Sequence, residues 1–399
     1  MRLGTIFLVA AGLLCASSAA AGVTAKPHGE GVFVTQSFTQ LPVHVGGRIE
    51  PDLILVASSD RTPGGRQVTQ ASRAKSNYNI YPHQWPGVYF EAAFAGNAVY
   101  LKFDDSLNIY NLYIDDDAAV RIALPGDTEY RIDGLSPGPH RARLEKLSES
   151  QSNSASFAGF YVDQNDKARP APPPRTRQIE IIGDSYAAGY GDTSAKHECT
   201  QDEIRDATDS QQAFGPLLGR TYTADYQINA VSGIGMVRNY DDGKGGLMPA
   251  LYPYDLFKTS PLYSDPAWNP QVVIIALGDN DFATPVKPGG KWADSSALGD
   301  DFVSAYIRFV EAARQSHPRA TFILMDYGEP PLITALARIA DALKADGETR
   351  VRLWSAGTAF EQTGCDWHLS LNDHKRISAG LTAYIDSLPG FWSTPQHGQ

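Results

Sequence analysis

Long apolar runs, positive charge and cysteine are all scarce in this sequence. The N-terminal apolar run reaches only from Ile6 to Leu14, well short of the roughly 20 residues that a bilayer-spanning helix needs. With Arg2 before it and small residues from Ala16 to Ala21 after it, it reads as a secretory leader cleaved after Ala20 or Ala21. A lipid anchor on Cys15 is disfavoured, because Leu14 stands where lipid-anchored precursors carry a small residue. Lys and Arg number 34 against 45 Asp and Glu, a formal charge of -11. That balance offers no basic face to nucleic acid or to an anionic membrane, and suits a neutral substrate. Of three cysteines, Cys15 leaves with the leader, so Cys199 and Cys365 remain as an even pair in a disulfide-permissive compartment. A bridge and two buried thiols are both open readings. The run Asp115, Asp116, Asp117 lacks the spaced oxygen ligands of a calcium loop and reads as a solvated turn. No metal and no cofactor is expected, a monomer is expected, and there is no convincing internal repeat.

Material for a core is ample. Hydrophobic residues make up 42% and charged residues 20%, the composition of a globular chain. At 399 residues it exceeds the ~250–300 at which a single core stops growing, so two domains are expected. After the leader (1–21), residues 25–165 have a strand texture. Val99, Leu101 and Phe103 alternate in AVYLKFDD, as do Ala142 and Leu144 in HRARLEKL, and ASFAGFYVD continues the pattern. Turn residues in FAGN, LPGDTE, DGLSPGPH and RTPGG punctuate the strands, which predicts a β-sandwich or jelly roll. DKARPAPPPRTRQ marks a stiff linker over 166–177. From 178 to 390 buried strands (QIEIIGDS, YQINAVSG, QVVIIALGDND, ATFILMDYG, VRLWSAG) alternate with amphipathic helices. This pattern predicts an α/β domain with a doubly wound, mostly parallel sheet, whose ligands bind at the carboxyl ends of the strands.

Four strand ends carry the candidate chemistry. Ser185 follows IIGD, in position for a nucleophile, but a serine hydroxyl needs a base and oxyanion donors. His368, two residues after Asp366 in GCDWHLSLNDHKR, is the candidate base. In an extended loop residues two apart point the same way, so the Asp366 carboxylate is expected on the far ring nitrogen. His374 is expected on a solvated helix face, and His197 is a weaker candidate. Gly233 in VSGIGMVRNY and Asn280 in LGDND are the candidate oxyanion donors. Trp367, Trp292 and Tyr240 are candidate platforms for sugar rings.

These blocks resemble the SGNH, or GDSL-type, hydrolases: GDS at 183–185, SG at 232–233, GDND at 278–281 and DWH at 366–368. With the β-rich N-terminal domain, GDSY…GYGD, SGIGMVRNY and CDWH resemble more narrowly carbohydrate esterase family 2, secreted acetyl esterases of plant polysaccharides. The resemblance implies Ser185 as nucleophile, His368 as base, Asp366 as its orienting acid, and Gly233, Asn280 and the Ser185 N–H as oxyanion donors. It implies an acetylated xylan, glucomannan or related polymer as substrate. Position 365 is Cys where the wider superfamily often begins DxxH, some narrower-family members orient the base with a backbone carbonyl, and Leu369 replaces an expected Pro. A lipase or arylesterase, distinguished by its acyl-length profile, and a non-catalytic carbohydrate-binding protein are the alternatives.

Overall fold

The computed structural model describes residues 22–26, 38–50, 52–56, 76–115, 117–258, 261–388 and 391–392. The expected leader, the RTPGG turn and Asp116 lie outside them.

Among the described residues thirteen strands come first: β1 (Gly22–Lys26), β2 (Phe38–Gln40), β3 (Val43–Gly46), β4 (Asp52–Val56), β5 (Ser76–His83), β6 (Tyr89–Gly96), β7 (Val99–Asp105), β8 (Ile109–Ile114), β9 (Val120–Ala123), β10 (Gly126–Asp133), β11 (Gly138–Lys146), β12 (Ala155–Asp163) and β13 (Lys167–Ala168). They build two sheets, one ordered β1-β10-β7-β12-β5-β4 with β2 beside β12, the other β13-β6-β11-β8-β9 with β3 beside β6. The alternation does what it predicts: Val99, Leu101, Phe103, Ala142 and Leu144 are all buried. Across the gap Phe90 of β6 meets Phe157 of β12 at 4.8 Å between ring centroids. Each such fully buried side chain stabilises the sandwich by about 1.5–3 kcal/mol. The β8–β9 turn holds the acidic run, where Asp115 binds His140 at 2.7 Å and accepts from the Arg141 N–H at 2.8 Å.

The second sheet system is parallel: β14 (Arg177–Gly183), β15 (Ala224–Ala230), β16 (Val272–Ala276), β17 (Thr321–Asp326) and β18 (Val351–Ser355), in the order β15-β14-β16-β17-β18. Its helices are α1 (Ser185–Ala188), α2 (Gln201–Ala207), α3 (Phe214–Tyr222), α4 (Met248–Leu251), α5 (Asp279–Phe282), α6 (Ser295–Ser316), α7 (Pro330–Ala345) and α8 (Leu371–Asp386). Alternate strand residues face opposite layers. Val273, Ile275, Phe322 and Leu324 pack with Phe302 of α6 and Leu336 of α7, while Val272, Ile274, Ile323 and Met325 pack with Leu218 of α3 and Leu381 of α8. The strand β18 is an edge and is only half-buried, with Leu353 exposed. The chain moves from β14 outward to β15 and returns to β16 on the other side, so the topological switch point lies at the carboxyl ends of β14 and β16.

Charged side chains tie the two parts together. Arg175, in the proline-rich stretch, bridges Glu91 of β6 and Asp225 of β15, each at 2.8 Å. His44 of β3 reaches the same Asp225 oxygen at 2.9 Å.

Candidate functional site: a serine–histidine pair at the switch point

Ser185 is the first residue of α1, directly beyond β14, and Asp184 caps the turn by accepting from the Tyr186 N–H at 3.1 Å. The Ser185 Oγ lies 2.8 Å from His368 Nε2, which is hydrogen-bond reach for proton transfer. Burial lowers the His368 pKa below 6.5, against a weaker opposing pull from the Cys365 and Asp366 carbonyls and the Asp366 charge. The ring is therefore neutral near pH 7, as a base must be.

The expected Asp366 contact is not formed. His368 Nδ1–H donates to the backbone carbonyls of Cys365, at 3.0 Å, and Asp366, at 3.2 Å. The loop is not extended: Asp366 and Trp367 have φ of 50° and 62°, and these two left-handed residues curl the preceding carbonyls under the imidazole. Left-handed backbone costs a non-glycine residue roughly 1–2 kcal/mol, a cost that tertiary contacts must offset. Cys365 N–H donates to Gly191 O at 3.1 Å, Gly364 N–H to His368 O at 3.0 Å, and Asp366 N–H to His197 O at 2.6 Å. Gly191, at φ 58°, is needed there, since a Cβ on it would lie 2.4 Å from the Cys365 Cβ. A disulfide joins Cys365 to Cys199, 166 residues apart. The Asp366 carboxylate instead accepts from the Tyr190 hydroxyl at 2.8 Å, and the Tyr190 ring lies 4.3 Å from that of His368. Tyr190 stands in the GYGD block, where no sequence signal marks its hydroxyl as a partner of Asp366.

Gly233 and Asn280 line the same cavity of about 710 Å³ as Ser185 and His368. Gly233 has φ 81°, a conformation that favours glycine. The Asn280 amide donates to Ile234 O at 2.9 Å and to Asp184 Oδ2 at 3.3 Å. Burial, and then the charges of Asp279 and Asp281, push Asp184 well above the carboxylate range. Asp279 is itself raised to about 7 by burial and by Glu329 and Asp326. No group of three metal-ligating side chains is found among the described residues.

The other candidates separate. Trp367 is exposed, stacks on His197 at 3.6 Å with the rings 11° apart, and lines the cavity with Tyr240. Trp292 does not reach it: its indole N–H donates to Asp301 at 2.9 Å and its ring packs on the helical layer under α6. His374 is not on a solvated face. It is buried, accepts from the Phe214 N–H at 3.3 Å, and burial lowers its pKa to about 3. Gln151 and Ser232 also line the cavity; no motif flags Gln151, and Ser232 stands in the SG block as the neighbour of Gly233.

The family model for the carbohydrate esterase 2 N-terminal domain matches residues 73–172, and that for the GDSL-like lipase/acylhydrolase family matches residues 181–375. An acetylxylan esterase/glucomannan deacetylase of Cellvibrio japonicus is 40% identical over 96% of this chain and 97% of its own length. Among solved structures, a carbohydrate esterase described as having divergent catalytic and non-catalytic binding functions in its active site is 38% identical, with a TM-score of 0.78 over 89% of this chain and all of that one. A family two carbohydrate esterase of Clostridium thermocellum shares the fold at 24% identity, with a TM-score of 0.69 over 88% of this chain and 99% of that one. A Ser–His pair at the switch point of a parallel sheet, behind an antiparallel N-terminal domain and matched over nearly the whole chain, places this protein in carbohydrate esterase family 2, among the SGNH carboxylic ester hydrolases.

Proposed function

We propose that this protein is a secreted or periplasmic serine esterase that removes O-acetyl groups from a polysaccharide or its oligosaccharides. The observation that carries this reading is the 2.8 Å contact between Ser185 Oγ and His368 Nε2 within an open cavity. Ser185 attacks the acetyl carbonyl carbon as its proton passes to His368 Nε2. The Ser185 and Gly233 N–H groups and the Asn280 amide hold the oxyanion. His368 then protonates the departing sugar oxygen, leaving an acetyl-enzyme, and activates the water that hydrolyses it. The backbone carbonyls of Cys365 and Asp366 take the orienting role that a carboxylate fills in a triad. Trp367 and Tyr240, both exposed at the cavity, serve as stacking platforms for sugar rings.

The wall around Ser185 sets polar groups, including Gln151, Ser232, Asp279 and Asp366, beside aromatic rings, and among the described residues no Leu, Ile, Val, Met or Phe lines it. This supports a short acyl group on a hydroxylated leaving group over a lipid. The 40%-identical acetylxylan esterase/glucomannan deacetylase supports xylan and glucomannan as substrates. The N-terminal leader pattern supports export. The reading is tested by acetate release from acetylated xylan and glucomannan, together with a nitrophenyl-ester series from acetate to decanoate. Release of acetate with activity falling steeply beyond butyrate is expected. A preference for long acyl chains would sink it in favour of a lipase, and polysaccharide binding without acetate release in favour of a binding protein.

A further inference from the structure

The loop between β11 and β12, residues 147–154, belongs to the N-terminal domain yet reaches the cavity of Ser185. Its Glu149 carboxylate accepts from the Ser232 N–H at 3.0 Å and from the Ser232 hydroxyl. Gln151 Nε2 donates to the Ser232 carbonyl at 3.3 Å. Both peptide planes flanking Ser232 are thus held from the other domain. A peptide is planar and trans, so its C=O and N–H point in opposite directions. Fixing the Ser232 carbonyl therefore fixes the direction of the Gly233 N–H on the same plane. The Gly233 carbonyl is held in turn by the Tyr240 N–H at 2.9 Å.

The clamp stands on a rigid base. Leu147 N–H donates to Ile109 O at 2.8 Å, and Leu147 O accepts from the Ser210 N–H at 2.9 Å. Ser148 Oγ accepts from the Ile109 N–H at 2.9 Å, and Ser150 Oγ accepts from the buried Lys146 Nζ at 2.9 Å. Glycine has no side chain to hold its own orientation, and an oxyanion donor is effective only when aimed before charge develops.

Resting on the esterase reading above, we infer that Glu149 and Gln151 are positioning residues for catalysis: Gln151 holds the Ser232 carbonyl and Glu149 the Ser232 N–H and hydroxyl, and together they pre-aim the Gly233 N–H at the oxyanion. The N-terminal domain is then part of the catalytic apparatus, independently of any glycan binding of its own.

The test is steady-state hydrolysis of p-nitrophenyl acetate by the full chain and its Glu149→Ala, Glu149→Gln, Gln151→Ala, Ser232→Ala, Glu149→Ala/Ser232→Ala and Asn153→Ala variants, with thermal melts of each. Removing an oxyanion donor outright costs about 10²–10³ in kcat, and misaiming one costs less. Glu149→Ala is expected to lower kcat by roughly 10- to 100-fold with KM within about threefold. Glu149→Gln, which keeps one acceptor, recovers most of that loss, and Asn153→Ala, exposed on the same loop, matches wild type. The double variant is no slower than Glu149→Ala, because Glu149→Ala already removes the hydroxyl contact that Ser232→Ala removes. A folded Glu149→Ala with unchanged kcat, or Glu149 and Ser232 losses that multiply, overturns the inference. If Glu149→Ala does not fold, Gln151→Ala, which frees the Ser232 carbonyl, is expected to lower kcat in the same way, and unchanged kcat in it overturns the inference equally. An inactive wild type overturns the esterase reading and this inference together, whereas an active wild type with an indifferent Glu149 overturns this inference alone.

Discussion

His368 can take the Ser185 proton only when its ring is neutral, and burial holds its pKa below 6.5. Because the active form is the deprotonated one, kcat/KM should rise with pH through a single pKa below 6.5 and then stay level. A pH profile of nitrophenyl acetate hydrolysis checks this. The Asp366 charge is the weakest of the influences that raise that pKa, and its carboxylate is held by Tyr190 rather than His368. Asp366→Asn is therefore expected to keep kcat within about tenfold of wild type and to move the acid limb slightly lower, whereas loss of a triad carboxylate costs about 10⁴-fold. A 10⁴-fold loss in Asp366→Asn would restore the carboxylate as orienter. That Ser185, Gly233, Asn280 and His368 meet at one cavity is legible in the sequence, the first three because each closely follows an apolar strand, and His368 because its loop leads from the last strand into the final helix. The role of Asp366 is not, because it depends on two consecutive left-handed residues, Asp366 and Trp367, and neither side chain announces that conformation.

At the scale of elements, the loop carrying the base is held by contacts from far along the chain. The Cys199–Cys365 disulfide closes 166 residues, and removing a native bridge costs about 2–5 kcal/mol. Cys199→Ser/Cys365→Ser should lower the melting temperature, and should lower kcat as well, because the bridge anchors the turn next to His368. Dithiothreitol should have the same effect on wild type and none on the double variant. Gly191→Ala sets its Cβ against Cys365 and should depress kcat with the disulfide intact, as activity assays paired with thiol counts would show. Strand and helix existence was readable from periodicity, as with Val99, Leu101 and Phe103 in β7. The burial of His374 carries no sequence signal: it follows a Ser370–Asp373 capping box, and a first-turn histidine beside Lys375 and Arg376 gives no hint that α3 covers it.

Across the whole molecule, the change of texture near the prolines separates two sheet systems, but the groups that join them carry no periodic signal. His44, Glu91, Arg143, Arg175 and Asp225 are scattered over the sequence and meet only in the fold. Burial alone would raise Asp225, yet hydrogen bonds from His44 and Tyr89 and the nearby charges hold it down to about 2. A depressed carboxylate stabilises the fold fully above its ordinary 3.8 and loses that contribution as pH falls through about 2. Asp225→Asn should therefore lower the melting temperature at pH 7 and flatten its decline between about pH 4 and pH 2, which differential scanning calorimetry would reveal. Glu149 belongs to the same scale, since only the packing of one domain on the other brings it to Ser232. The most direct measurement of the central claim is acetate release from acetylated xylan by wild type and Ser185→Ala at equal concentration. Loss of at least about 10⁴-fold in a folded Ser185→Ala protein is the expected result, and activity within tenfold of wild type would contradict the assignment of Ser185 as nucleophile.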